Sequence, residues 1–258
     1  MGRAVTSREG LQSIAIPVAR YLAISFILGI GVFILYIGLI TLFLILLGFP
    51  MPSSVLIIVI GSILCFVGMG IAAPSIISLG GALSTHARDS ASKLSSYLSA
   101  RGIDIQGFSA EINTIRSNKP SLLTSLKLLI ISMVLLFLFL LSILTPLDTL
   151  VRLALVLITG VVSPVAIISS IYSLIEDLEI WLYIHRSQEI SIVRKISRED
   201  PLIERVDSKR SSISLGIFLA IITLGLYIIY SLSTSILNLS RHMEWHSELD
   251  ETIGRIRI

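Results

Sequence analysis

Five long apolar runs dominate the chain: Tyr21 to Phe49, Ser53 to Leu83, Leu122 to Leu144, Leu150 to Ile175 and Ser212 to Leu239, with no charged side chain deep inside any of them. About 20 apolar residues suffice for a helix to cross the roughly 30 Å hydrocarbon layer, so each run is long enough to be a span. Lys127 and Arg152 sit near run ends, where a long stem can carry the charge to the headgroups. With 54% hydrophobic and 14% charged residues in 258, too little polar surface remains to solvate a soluble fold. The expectation is an all-α, polytopic integral protein of the cell membrane, one helical membrane domain with about five transmembrane helices. The first run is too long for a signal-peptide core, so the N-terminal stretch is expected to be retained.

Phe49 to Pro52 and Thr145 to Asp148 read as tight turns at a membrane surface. Residues 84-121 and 176-211 form longer connections, and 240-258 a tail. Every Lys and Arg except Arg152, Arg241, Arg255 and Arg257 lies before the first run, in the two long connections or, as Lys127, at the start of the third run beside the first of them. By the positive-inside rule the N-terminus and both connections are cytoplasmic, and an odd span count sends the tail outside. The plan repeats a hairpin and a loop, with Pro74 and Pro164 each twelve residues before the first polar group, His86 or Glu176. That is compatible with a duplicated helical hairpin or with chance.

Helices in lipid approach one another through small residues. Gly61, Cys65, Gly68, Ala72 and Ser75 recur at steps of four, three, four and three, making one helix-packing face. Thr223, Tyr227, Ser231 and Thr234 keep a similar rhythm in the fifth run, and read either as helix packing or as the lining of a polar path. Val134 to Leu144 is bulky and suits lipid.

Ala87, Ala91, Leu94 and Leu98 predict a short helix ended by Gly102, and a second is expected over Ala110 to Arg116 with Phe108 before it. The second connection extends the fourth run through Trp181 and gathers Arg194, Lys195, Arg198, Arg205, Lys209 and Arg210 among acidic residues. Those cations suit anionic lipid, a docking partner or phosphate.

Catalysis needs positioned acids, bases, nucleophiles or metals, and the runs offer hydroxyls and the single Cys65. His242 and His246 stand at i and i+4 with Asp250 beyond, but Met243 occupies the position where a zinc protease motif needs Glu. The four histidines lie in loops or at edges, so no haem pair, metal site, cofactor or catalytic residue is assigned. With no Asp, Glu or His at mid-membrane, ion coupling also lacks its usual carrier.

The Ile and Ser bias of Ser53 to Leu83 and Ser211 to Ser235 is similar to that of membrane proteins from thermoacidophilic archaea. The chain in plan resembles the larger membrane component of the crenarchaeal DNA-import (Ced) system, itself likened to the polytopic inner-membrane subunit of type IV secretion machines. The resemblance implies an oligomer surrounding or supporting a passage for DNA, small membrane or pilus-like subunits meeting the tail, and a separate cytoplasmic ATPase on the loops. It implies no functional residues. A stand-alone small-solute channel or carrier, or an assembly factor, is the alternative.

Overall fold

The computed structural model describes residues 18–48, 54–100, 102–145, 149–196 and 213–255. The connector Phe49 to Pro52 and, of the other, Pro146 to Asp148 lie outside these residues, as do Arg198, Arg205, Lys209 and Arg210. The described chain is all-α: α1 Val18–Leu46, α2 Ser54–Ala100, a 3-10 turn at Ile105–Phe108, α3 Ser109–Ser117, α4 Leu123–Leu144, α5 Thr149–Ile196, α6 Ile213–Ile222 and α7 Tyr227–Arg255. Four helices are long and apolar enough to cross a bilayer, the segments being Val18–Leu46, Val55–Ser99, Leu123–Leu144 and Leu153–Ile192. The chain is a multi-pass membrane protein in contact with lipid.

Two antiparallel helix pairs, α1 with α2 and α4 with α5, make the body. Small residues set the first pair: a Cβ on Gly61 would stand 2.7 Å from the backbone N of Leu35, and one on Gly31 would stand 2.9 Å from Cys65 Sγ. Gly68 faces Leu28 in the same way, Ala72 and Ser75 are buried, and the Ser75 carbonyl accepts the Tyr21 hydroxyl at 2.7 Å. The two pairs meet where Gly160 of α5 lies against Phe139 and Leu39. On α4, Ser125, Leu129, Ser132, Leu136 and Phe139 face inward, whereas Ile130, Ile131, Val134, Phe137 and Leu141 are exposed.

The expected break between the second run and its loop helix is absent in α2, and α5 continues past Trp181 to Ile196 without interruption. Nothing between His86 and Ala100 interrupts a helix, so α2 runs through, with Ala87, Ala91, Leu94 and Leu98 on its buried side. Gly102 ends the chain's helical path there at φ 65°, and Ile103 N–H donates back to Leu98 O at 3.0 Å, the bond that closes a glycine-terminated helix. At 1.5 Å per residue α2 is about 70 Å long, more than twice the hydrocarbon thickness. The surplus lengths of α2 and α5 hold α3 between them around a separate small core of Ala91, Leu94, Leu98, Phe108, Ile112, Ile115 and Ile192.

The fifth run departs from expectation. It is not one span but a helical hairpin: α6 ends at Ile222, Leu224 and Gly225 take positive φ of 52° and 93°, and α7 starts at Tyr227. Gly216 of α6 lies against the ring of Tyr172, and Ser231 of α7 hydrogen-bonds the hydroxyl of the same side chain. In a straight helix those two would be about 22 Å apart. Gly225 packs against Val32, Gly29 against Ile229 and Ser25 against Ser233, so α7 runs antiparallel to α1. Against α5 it meets Tyr172, Glu179 and Arg186 in rising order, so it runs parallel to that helix. Val32 stands about 21 Å short of the far end of α1, so the hairpin turns halfway. The tail placed externally by the span count therefore returns, through His242, to the end where α2 and α5 finish, and the five-span expectation is corrected to four spans and a re-entrant hairpin.

The turn is chemically self-sufficient. Each N–H from Thr223 to Ile229 finds an acceptor inside it: Leu219, Ile221, Ala220 and Thr223 carbonyls for the first four, Thr223 Oγ1 for Tyr227, and Gly225 and Leu226 carbonyls for the last two. Irregular backbone at membrane depth requires such satisfaction. Gly225 is needed twice over, for its positive φ and because a Cβ would lie 2.5 Å from Val32 Cγ1.

Candidate functional site

Three of the four histidines converge: His86 from α2, His185 from α5 and His242 from α7. Their ring centroids are 5.3 Å (His86 to His185), 5.4 Å (His185 to His242) and 5.9 Å (His86 to His242) apart. One nitrogen from each ring lies within 4.8 Å of the other two. His185 and His242 are 0% and 1% exposed. The cluster lies roughly 50 Å along α2 and α5 from their starts, beyond a 30 Å hydrocarbon layer even for a strongly tilted helix.

Polar and aromatic groups brace it. Trp181, one turn before His185 on α5, stacks on that imidazole at 4.8 Å and 15°. Trp181 is fixed in turn by Asn118, which follows α3. Glu189, one turn after His185 and 1% exposed, places Oε1 at 3.1 Å from His185 Nε2 and accepts Ser90 Oγ at 2.8 Å. Arg186 Nε donates to His242 Nδ1 at 3.2 Å. Three imidazoles with a carboxylate behind one of them form a donor set suited to a transition-metal ion of the zinc, copper or nickel kind.

The other residues singled out in the sequence are dispersed. Gly61, Cys65, Gly68, Ala72 and Ser75 lie along the α1 contact. Thr223, Tyr227, Ser231 and Thr234 do not share a span-long face, because the chain reverses among them. Thr223, Ser231 and Thr234 donate to carbonyls of their own helices, at Leu219, Tyr227 and Tyr230, and Ser231 also shares a hydrogen bond with the Tyr172 hydroxyl at 3.0 Å. Arg194 is on α5. Lys195 pairs with Glu111 of α3 and stands 5.5 Å above the Phe108 ring. That pairing holds the Glu111 carboxyl below its usual range, chiefly through the hydrogen bond from Lys195.

The histidine cluster escaped sequence reasoning because its members are 99 and 57 positions apart and share no motif spacing. The pair weighed for metal binding, His242 and His246, was read along one helix; the partners of His242 come from two others. Comparison with protein-family models, curated proteins and solved structures gave no match.

Proposed function

We propose that the chain is a non-catalytic membrane subunit of a multi-protein translocation machine, supporting a passage for DNA import that a separate cytoplasmic ATPase energises. The observation that carries this reading is the one-ended build of the molecule. α2 and α5 continue past the bilayer and enclose α3 in a core of their own, a stiff platform of the kind a cytoplasmic partner can grip. With the hairpin folded back, Arg152 alone of the 20 Lys and Arg, and Asp148 alone of the 17 Asp and Glu, belong to the opposite end by chain order. Positive charge so distributed supports a cytoplasmic platform, N-terminus and C-terminus. Small pilus-like subunits then meet the short outer connectors rather than the tail.

The solute-carrier alternative calls for a hydroxyl path along the whole fifth run, and the reversal at Gly225 supports the platform reading over it. The platform reading needs an electrostatic contact surface instead. Arg194, Arg198, Arg205, Lys209 and Arg210 are its residues for ATPase or phosphate contact. Reversing them together to Glu in the chromosomal gene tests the proposal: DNA uptake, scored by marker transfer, should fall to background while the protein still accumulates in the membrane. Undiminished uptake would sink it.

A further inference from the structure

The geometry points to a divalent metal site of the zinc class at His86, His185 and His242, a latch that fastens the returning arm of the re-entrant hairpin to the two long helices. Zinc bound by imidazoles at 2.0–2.1 Å in tetrahedral geometry holds its nitrogens roughly 3.4 Å apart. The three nitrogens already lie within 4.8 Å of one another, so side-chain rotation of about an ångström closes the gap without moving a helix. Convergence of rings from α2, α5 and α7 is not a local accident of one helix face; each helix contributes one ligand, and three rigid elements meet at one point. The fourth coordination position is left to solvent or to a partner's side chain.

Glu189 supplies the outer support such sites use. Its carboxylate sits against His185 and is itself held by Ser90, the carboxylate–histidine arrangement that orients a ligating ring and raises its basicity. Its negative charge also offsets part of the incoming cation. Arg186 opposes binding, since its guanidinium donates to Nδ1 of His242 and brings a positive charge close. That charge repels an incoming cation, so Arg186→Gln should bind metal more tightly than wild type. Imidazole donors without thiolates suit zinc, copper or nickel and disfavour calcium and magnesium, which prefer oxygen.

The consequence is mechanical. α7 is joined to α6 only through the turn at Thr223 to Leu226, and the metal ties it at its other side to α2 and α5. The site stands independently of the cargo assigned above.

The test uses the full-length protein, purified in detergent and stripped of metal by a chelator. Zinc should bind at one equivalent per chain in competition with a chromophoric chelator, and should raise the thermal midpoint. His86→Ala, His185→Ala and His242→Ala should each weaken binding by about 100-fold or more, at least as much as the loss of an outer-shell partner, and abolish the zinc-dependent rise. His246→Ala should bind as wild type does. If an alanine variant fails to fold, the intact histidine set still decides: in Trp245→Phe protein, Trp181 is the sole tryptophan, and one equivalent of Cu2+ should quench it and a chelator should reverse the quenching. Binding well below one equivalent, equal loss in His246→Ala, or no quenching of Trp181 overturns the proposal.

Discussion

Asn118 and Trp181 bind each other reciprocally: Asn118 Nδ2 donates to the Trp181 carbonyl at 3.0 Å, and Trp181 Nε1 donates to the Asn118 carbonyl at 3.1 Å. Two bonds across 63 positions fasten the end of α3 to the middle of α5. Asn118→Ala removes one of them and leaves a helix-interior carbonyl without its side-chain partner. A loss of about 1–2 kcal/mol is expected, read as a lower thermal midpoint in detergent, while the Trp181 indole keeps its bond to the backbone carbonyl at position 118. An unchanged midpoint would show the Asn118 amide bond to be incidental.

Gly61 and Gly70 lie on the same helix but face different surroundings. A Cβ on Gly61 meets the Leu35 backbone at 2.7 Å, whereas one on Gly70 meets nothing within 4 Å. Backbone cannot swing away as a side chain can. Gly61→Ala is expected to destabilise by about 1–3 kcal/mol through overpacking, while Gly70→Ala should be neutral or stabilising by up to about 1 kcal/mol from helix propensity. Equal midpoints for the two variants would contradict the α1–α2 contact described above.

The hairpin makes a prediction about sidedness. In a Cys65→Ala background, a cysteine at Ser117 and one at Glu251 should react with a membrane-impermeant maleimide from the same face of oriented vesicles. A cysteine at Leu150 should react only from the other. Labelling of positions 117 and 251 from opposite faces would restore a fifth crossing and dissolve the turn at Gly225.

The Glu111–Lys195 pair gives a pH dependence with a definite sign. The folded-state carboxyl titrates below its unfolded value, so its contribution is present above the ordinary carboxylate range and is lost as pH falls through the depressed folded pKa. The pair is solvent-accessible, which limits its worth to under about 1 kcal/mol. Wild type should exceed Glu111→Gln in thermal midpoint at neutral pH, and the two should converge on acidification toward pH 3. A gap that widens with acid would reverse the assignment.

How far the sequence carried depends on the range of the interaction. Spans one to four were legible because hydrophobicity over a window of about 20 residues is a local property, and the α1 contact face was readable because Gly61, Cys65, Gly68, Ala72 and Ser75 keep one helical phase. The hairpin was concealed by the same apolarity that reveals spans: between Leu215 and Tyr230 the chain offers only Thr223, two residues before Gly225, as a polar mark of a turn. That pair is a helix-end signal, yet a lone glycine in an apolar run more often serves packing. The charges after His86 suggested a loop where α2 simply continues as helix to Ala100. The histidine cluster depends on where α7 ends up, and so was beyond any reading that sent the tail to the other side.

Because α6 and α7 reverse at the level of Val32, the body presents four helical cross-sections in the leaflet near the connectors and six in the leaflet near the platform. It is a taper rather than a cylinder. Lipids are displaced unequally by the two halves, and the acyl chains beneath the turn must fill a notch that no described helix occupies. The membrane around this protein is therefore under an asymmetric lateral load, heaviest in the half toward which α2 and α5 extend.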